Sequence, residues 1–325
     1  MQNSASLVVV LGTGGTIAGT APSSSDDSGY TAAQLSIAQL LAAVPELVGV
    51  PIESEQVAQI DSKDMSHALW QALALRVAHH LARAEVNSIV VTHGTDTLEE
   101  TAYFLHRVLA PTKPVVLTGA MRPATSAEAD GPRNLCDAVA VAHQAAGASL
   151  SGVLVVLNGA VHGARQVRKA HPTRLDAFSS GEAGPLAFVE HGRLRSTALS
   201  ASQASAEAAA PVHVALRGSA ADWPRVEIVL NHAGASGAVV HALCAHGVEG
   251  LVAAATGNGT LHHDLEAALL AAQAQGVAVL RSARCGDGRV TMGAPGGLPG
   301  AGDLSPVKAR IELMLQLMQR ELGRP

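Results

Sequence analysis

Between residues 7 and 189, apolar residues occur in short runs that alternate with stretches of helical periodicity. The short runs are rich in Val, Leu and Ile and cover residues 7–11, 89–92, 115–117 and 153–157. The stretches with helical spacing cover residues 65–84, 98–109 and 134–146. Strands that are apolar on both faces and alternate with helices are typical of parallel sheets covered by helices. The pattern therefore predicts a larger N-terminal α/β domain, residues 1–192, with a mostly parallel sheet flanked by helices.

The alternation stops at residues 193–223, where Ser, Ala, Gln and a few Pro replace the apolar runs. It restarts with apolar or periodic stretches at residues 226–230, 237–244, 251–254, 261–274, 277–280 and 306–321. A chain of 325 residues also exceeds the ~250–300 residues at which single cores stop growing. We therefore expect residues 193–223 to be a linker and residues 224–325 to form a smaller C-terminal α/β domain with a parallel sheet.

The segment 20–29 is rich in Ser, Asp and Gly, follows a glycine turn and leads into Tyr30, one of two tyrosines in the chain. One interpretation is a mobile lid that brings a phenol over a site. The other is a plain surface loop with Tyr30 packed as a core anchor, and the composition by itself favours this second interpretation.

The composition narrows the function classes. The chain carries 22 basic and 27 acidic residues, a net charge of −5, without a long run of one sign. A nucleic-acid partner and a membrane surface are therefore not expected. The N-terminus has no basic region before its first strand, and no apolar stretch reaches the ~18 residues of a membrane span, so the expected compartment is the cytoplasm.

Cysteine and histidine spacing argues against a metal centre. Cys136, Cys244 and Cys285 lie far apart without CxxC spacing, so we expect three free thiols. The 15 histidines include no HExxH motif, and most are expected at the surface. The adjacent pairs at 79–80 and 262–263 cannot share one helix face. No bound metal is predicted.

Candidate chemistry lies at two strand ends, which is where α/β proteins place ligands. The first strand runs into Gly12-Thr13-Gly14-Gly15-Thr16, and the run at 89–92 continues into His93-Gly94-Thr95-Asp96. A threonine hydroxyl becomes a nucleophile only when a base or a polarising neighbour activates it. Tyr30, Asp96 and Lys169 are candidate activators, although threonine after a strand is more often a helix N-cap and a lone lysine more often a surface charge.

Residues 13–19 (TGGTIAG) and 92–102 (THGTDTLEETA) resemble the two signatures of bacterial-type L-asparaginases. These enzymes are homo-oligomeric amidohydrolases that convert asparagine to aspartate and ammonia. Four further segments resemble family segments in family order: 60–65, 117–123, 129–135 and 257–259. The resemblance thus covers nearly the whole chain and implies the family's two-domain α/β fold.

The resemblance implies a role for each matching residue. Thr13 resembles the nucleophile that forms an acyl-enzyme, and Tyr30 resembles the lid tyrosine that polarises it. Thr95, Asp96 and Lys169 resemble the second hydroxyl, the carboxylate that holds the substrate ammonium, and its paired lysine. Acyl transfer to water needs no metal or organic cofactor.

Substrate binding is implied for Gly12, Asp61, Ser62, Gly94 and Asn258, with Ser62 on the substrate α-carboxylate. Family sites are completed across an intimate dimer, two of which usually form a tetramer. Asn258 resembles the residue lent by the neighbouring subunit. The expected partners are therefore L-asparagine, possibly L-glutamine, and further copies of the chain.

The chain departs from the family pattern at two places. Lys63 stands where the better-known secreted members have Gln or Glu, and its charge would repel the substrate ammonium. We therefore expect it to point to solvent or to pair with a carboxylate such as Asp64. Residues 285–303 offer no clear counterpart of the acidic residue that some members lend across the dimer.

There are three alternatives to an asparaginase, of which two stay open and the third is weakened. A glutaminase-asparaginase differs only in pocket depth, and one methylene is worth about 1–3 kcal/mol. A non-catalytic amino-acid-binding protein would keep Asp96 and Ser62 without needing both threonines. A dinucleotide-binding oxidoreductase is weakened because Ile17 stands where GxGxxG needs its third glycine.

Overall fold

A computed structural model describes residues 7–24, 29–148, 150–196, 212–291 and 297–322. The chain divides into two compact units, residues 1–211 and 212–325, each with its own sheet. The described residues of the first unit form the strands β1 Leu7–Gly14, β2 Ile52–Ile60, β3 Val86–Thr92, β4 Val115–Thr118, β5 Val153–Leu157, β6 Ala160–Gly163, β7 Arg168–Lys169, β8 Phe178–Ser179, β9 Ala187–Glu190 and β10 Arg193–Ser196. Its α-helices are α1 Ile37–Ala42, α2 His67–Leu81, α3 Leu98–Leu109 and α4 Gly131–Gln144.

The large sheet of the first unit has eight strands in the order β10-β9-β6-β5-β4-β3-β1-β2. The β1–β2, β1–β3, β3–β4 and β4–β5 pairs are parallel, whereas the pairs that β6, β9 and β10 form are antiparallel. The chain leaves β1 to form β2 on one side and β3 on the other. This reversal of strand order opens a crevice at the carboxyl ends of β1 and β3, the preferred ligand position in open α/β sheets.

Aliphatic packing explains how a chain with 2% aromatic residues builds this core. Val8, Val10, Val90 and Val116 are fully buried in a cluster beneath α1 and α4. The parallel strands are covered on both faces, which is why they read as unbroken apolar runs. The mostly parallel, helix-flanked sheet predicted for the N-terminal part is confirmed.

The hydrophobic pattern missed β2, one of the two edge strands of the large sheet. Most of its side chains are polar. Glu53 forms an ion pair at 2.8 Å with Arg83, which follows α2, and Glu55 forms one at 2.7 Å with Arg76 of α2. His80 also contacts Glu55 at 2.7 Å. An edge strand covered by charge pairs carries no apolar run and resists pairing with other chains.

The predicted linker, 193–223, includes residues that adopt regular structure. Arg193–Ser196 form β10 and pair with β9, so they belong to the first unit's sheet. Residues 197–211 lie outside the described residues. His213–Leu216 and Ala220–Asp222 are short 3₁₀ helices. The domain and linker boundaries therefore remain a prediction, except that the strand pairing continues to Ser196.

The second unit contains a parallel three-stranded sheet, ordered β11 Val226–Leu230, β12 Gly250–Ala255 and β13 Ala278–Ala283. Its helices are α5 Ala238–Ala245, α6 His263–Ala274 and α7 Pro306–Leu322. The smaller α/β domain with a parallel sheet is confirmed. Within the described part of the chain, no helix is both long and apolar enough to cross a membrane. Cys136, Cys244 and Cys285 are free.

Candidate active site

Three segments of the first unit meet at the carboxyl ends of β1, β2 and β3, and two glycines bring them into backbone contact. A Cβ built on Gly15 would lie 2.3 Å from the Cα of Gly94, and one on Gly94 would lie 2.5 Å from Ser62 Oγ. Gly15 also has a φ of +84°, which favours glycine. Only glycine at both positions lets the turns after β1 and β3 pack against each other and against Ser62.

Thr13 ends β1 and is 3% exposed. Its Oγ1 donates a hydrogen bond to the backbone carbonyl of Thr92 at 2.9 Å. A carbonyl orients the hydroxyl but cannot remove its proton. Among the described residues, no side chain hydrogen-bonds to Thr13. Neighbouring Gly12 packs against α1, because a Cβ there would lie 2.8 Å from Ile37 Cβ.

Thr95, Lys169 and Asp96 form one hydrogen-bonded group. Lys169 Nζ donates to Thr95 Oγ1 at 2.9 Å and to Asp96 Oδ1 at 2.7 Å. Thr95 is 5% exposed, and the Lys169 side chain is 16% exposed against 54% for Asp96. The structure thus brings together three of the predicted catalytic residues, one of them from β7, more than 70 positions along the chain.

Ser62 lies at 2% exposure in a 3₁₀ turn that follows β2. Its Oγ accepts a hydrogen bond from the Asp96 N–H at 3.2 Å, and its carbonyl accepts one from Thr97 Oγ1 at 2.8 Å. The Ser62 hydroxyl proton meets no acceptor within the described part of the chain. A buried donor in this state suits an anionic group such as a carboxylate.

Lys63 pairs with carboxylates of its own turn, in line with the expectation from charge repulsion. Its ammonium lies 2.6 Å from Asp61 Oδ2 and 3.2 Å from Asp64 Oδ2, and the side chain is 60% exposed. Because Asp61 also accepts from the Lys63 backbone N–H at 3.4 Å, its carboxylate is occupied locally.

Among the described residues, Tyr30 makes no hydrogen bond to Thr13. Its hydroxyl hydrogen-bonds to Thr16 Oγ1 at 2.7 Å, three residues past the expected partner. Thr20 and Thr31 bond to each other through both backbone groups at 2.9 Å, which closes the base of the 20–29 segment. Residues 25–28 lie outside the described residues, so the proposed lid movement remains a prediction.

A buried relay supports the turn that carries Thr95. Trp70 Nε1 donates to Thr101 Oγ1 at 2.9 Å, Thr101 bonds to His93 Nε2 at 2.9 Å, and His93 Nδ1 bonds to the Gly94 carbonyl at 2.7 Å. Complete burial lowers the pKa of His93 to about 4, while the Gly94 bond opposes that shift. The imidazole is therefore neutral near pH 7. Sequence analysis missed this histidine, since most were expected at the surface.

Asn258 belongs to the second unit, where its amide is clamped by Thr291. Asn258 Nδ2 donates to Thr291 Oγ1 at 3.1 Å, and the Thr291 N–H donates to Asn258 Oδ1 at 3.0 Å. Its role in a neighbouring subunit's site remains a prediction. In the same unit, ligand-type atoms of half-buried His262 and of exposed His263 and Asp264 lie within 4.8 Å of one another. The two histidine rings stack, so these adjacent histidines share one side, His262 being the N-cap of α6.

Comparison with known protein families shows to which family the chain belongs. Residues 7–201 match the model described as Asparaginase, N-terminal, and residues 225–322 match the Glutaminase/Asparaginase C-terminal domain. The chain belongs to the asparaginase family. The resemblance stated from the two glycine–threonine segments is confirmed.

Individual family members match over nearly the whole chain. L-asparaginase 2 of Escherichia coli (strain K12) is 39% identical, covering 96% of this chain and 89% of that protein. Glutaminase-asparaginase of Pseudomonas fluorescens biotype A is 37% identical, covering 97% and 87%. The crystal structure of a probable cytoplasmic L-asparaginase from Campylobacter jejuni has a TM-score of 0.87 at 36% identity, covering 97% and 95%.

Proposed function

We propose that the protein hydrolyses the side-chain amide of L-asparagine to aspartate and ammonia. Membership of the asparaginase family makes it an amidohydrolase. The observation that carries the choice of chemistry is the Thr95–Lys169–Asp96 group beside the Thr13 turn. It supplies a polarised hydroxyl and a carboxylate next to a buried candidate nucleophile.

The proposed reaction has two steps. In the first, Thr13 Oγ bonds to the amide carbon, the C–N bond breaks, and the Thr13 proton reaches the departing nitrogen to give ammonia. In the second, water adds to the aspartyl ester, the C–O bond to Thr13 breaks, and a water proton returns to Thr13. Thr95, polarised by the Lys169 ammonium, is the proposed proton carrier in both steps.

Charge placement supports an amino-acid substrate. Asp96 Oδ2 accepts no hydrogen bond from a described residue, so it can receive the substrate ammonium. Ser62 Oγ, which the Asp96 N–H already contacts at 3.2 Å, can donate to the substrate carboxylate. A neighbouring pair of one anion and one donor matches the two charged groups of an α-amino acid.

Mixed specificity is the second candidate, because a relative of 37% identity is named glutaminase-asparaginase. One methylene in a pocket changes transition-state binding by about 1–3 kcal/mol, so both amides can be substrates. Ammonia release from L-asparagine and L-glutamine separates the candidates. We expect turnover of asparagine. Aspartate binding by calorimetry without any ammonia release would instead support a non-catalytic binding protein.

We further propose a homo-oligomer, a tetramer built as a dimer of dimers, in which Asn258 completes a neighbouring site. Light scattering gives the mass of the assembly, and a fully active monomer would contradict the proposed homo-oligomer.

The proposed chemistry needs no cofactor, so dialysis against a chelator should leave ammonia release unchanged. The relatives differ in compartment, since one is described as cytoplasmic and one as periplasmic. A cytoplasmic location stays a prediction.

A further inference from the structure

The first turn of α3 carries two residues that look like ordinary helix-start signals but bond elsewhere. Thr97 is the N-cap residue, where a threonine hydroxyl normally accepts a hydrogen bond from a first-turn N–H. Here the Thr97 side chain makes no capping bond. Its Oγ1 instead donates to the Ser62 carbonyl at 2.8 Å, across 35 positions of sequence.

Glu99 also bonds to a residue that is distant in sequence. An acidic residue in the first turn favours a helix through the helix dipole, and that alone would explain its place. Its Oε1 accepts a hydrogen bond from the Lys169 backbone N–H at 3.1 Å, across 70 positions. Since Lys169 Nζ bonds to Thr95 and Asp96, both ends of that residue are held by residues 95–99.

We propose that Thr97 and Glu99 form a positioning bracket: Thr97 sets Ser62 against the substrate carboxylate, and Glu99 sets Lys169 against Thr95. This inference rests on the proposed function, which gives Ser62 and Lys169 their roles. Neither bracket residue need touch substrate. Their effects should separate, because one acts through a binding residue and the other through a catalytic one.

Local bonding explains why the bracket acts on position rather than on stability. The Ser62 carbonyl also accepts from the Met65 N–H at 3.1 Å within its own 3₁₀ turn. Loss of the Thr97 hydroxyl therefore leaves that carbonyl bonded and removes only the link between the Ser62 turn and α3. Ser62 follows an edge strand, so no further strand holds it from the outer side.

Thr97→Val tests the binding half of the bracket, with Thr97→Ser as the conservative variant. We expect Thr97→Val to raise KM for asparagine about tenfold, the scale of one hydrogen bond. Its kcat should stay within about twofold, and Thr97→Ser should restore KM. Calorimetry with aspartate should show the same roughly tenfold weakening for Thr97→Val alone.

Ser66→Ala is the matched control. Ser66 caps α2 in the ordinary way, because its Oγ accepts from the Leu69 N–H at 3.3 Å. Its loss should lower the urea midpoint without changing KM or kcat. If Thr97→Val instead behaves like Ser66→Ala, with a lower midpoint and unchanged KM, Thr97 is only structural and the bracket is refuted.

Glu99→Met tests the catalytic half, and Glu99→Gln keeps an oxygen acceptor. We expect Glu99→Met to lower kcat about tenfold with KM within about twofold, and Glu99→Gln to lose much less. Equal loss in both Glu99 variants would refute this half. A wild-type protein that releases no ammonia from either amide refutes the proposed function, whereas normal wild-type turnover with unaltered kinetics in Thr97→Val and Glu99→Met refutes only the bracket.

Discussion

A buried threonine lies at the end of β1 and another lies after β3, and their hydroxyls have opposite hydrogen-bonding roles. Thr13 and Thr95 are both buried, at 3% and 5% exposure. The Thr13 hydroxyl donates a hydrogen bond to a backbone carbonyl, whereas the Thr95 hydroxyl accepts a hydrogen bond from the Lys169 ammonium. The carbonyl holds the Thr13 oxygen in one orientation, and the ammonium makes the Thr95 hydroxyl a better proton donor. In the proposed reaction, the hydrogen-bond partner rather than the residue type therefore separates the nucleophile from the proton carrier.

The two turns also depend on each other. Gly15 and Gly94 approach too closely for any side chain, so a shift in one turn is transmitted to the other. Supporting contacts are unequal, however. Side chains hold the Thr95 turn, through the Trp70–Thr101–His93 relay and Lys169. The turn after β1 is held by backbone bonds such as that from the Gly15 N–H to the Ile60 carbonyl at 2.8 Å, and among the described residues the Thr13 hydroxyl bonds only to the Thr92 carbonyl.

The largest expected effect is the loss of either hydroxyl. Thr13→Val and Thr95→Val should each lower kcat by about 10³-fold or more, and the double variant should be little worse than either, because residues that act as a unit lose activity non-additively. Steady-state ammonia release measures this. Peptide mapping after a rapid quench should find the aspartyl group on Thr13. An aspartyl group on Thr95 would show instead that Thr95 is the nucleophile.

Replacing Lys169 should change the hydrogen bonding of Thr95 and leave that of Thr13 unchanged. Lys169→Met removes the donor to Thr95 and should lower kcat by roughly 10²–10⁴, the scale of general acid–base catalysis. Lys169→Arg should not rescue it, since the planar guanidinium is larger and cannot take the position from which the ammonium donates to both Thr95 and Asp96. The kinetics of both variants decide this, and near-normal turnover in Lys169→Met would show that Thr95 needs no polarisation.

Two glycines of equal φ separate steric contact from backbone strain. Gly15 and Gly49 both have a φ of +84°, but a Cβ on Gly49 meets nothing within 4 Å. Gly49→Ala should cost only the strain of about 1–2 kcal/mol. Gly15→Ala should cost clearly more and should also lower activity, because Gly94 must move. Urea unfolding of both variants measures the difference, and equal losses would mean that the turns do not interlock.

The effect expected to matter least at neutral pH is a pH dependence of the folding stability, which arises from His93 in the Thr95 turn. Burial lowers the pKa of His93 from 6.5 to about 4. Between these values the unfolded chain binds more protons than the folded one, so stability is complete above pH 6.5 and falls as the pH drops towards 4. The loss is about 3 kcal/mol. Urea unfolding of wild type and His93→Gln from pH 7 to 4 tests it, and parallel curves would exclude His93 as the source.

The prediction from sequence failed where side chains serve a distant partner. Thr97 and Glu99 lie inside a recognised segment, yet each looks like a helix-start residue until the fold brings Ser62 and Lys169 beside it. His93 was quoted within the second signature but was given no role of its own among the 15 histidines. Tyr30 was assigned to Thr13, whereas its hydroxyl here bonds to Thr16 Oγ1 at 2.7 Å, and its polarising role stays a prediction.

The sequence by itself determined the family, the parallel-sheet architecture and the two threonine turns, because apolar runs and glycine positions follow from local backbone requirements. Tertiary structure alone decided which atoms meet: Lys169 on Thr95, Ser62 on the Asp96 N–H, and Tyr30 on Thr16. The tertiary structure also placed the charged strand β2 at one edge of the large sheet. Hydrogen-bond partners depend on ångström distances between segments far apart in the chain, and no local pattern encodes those distances.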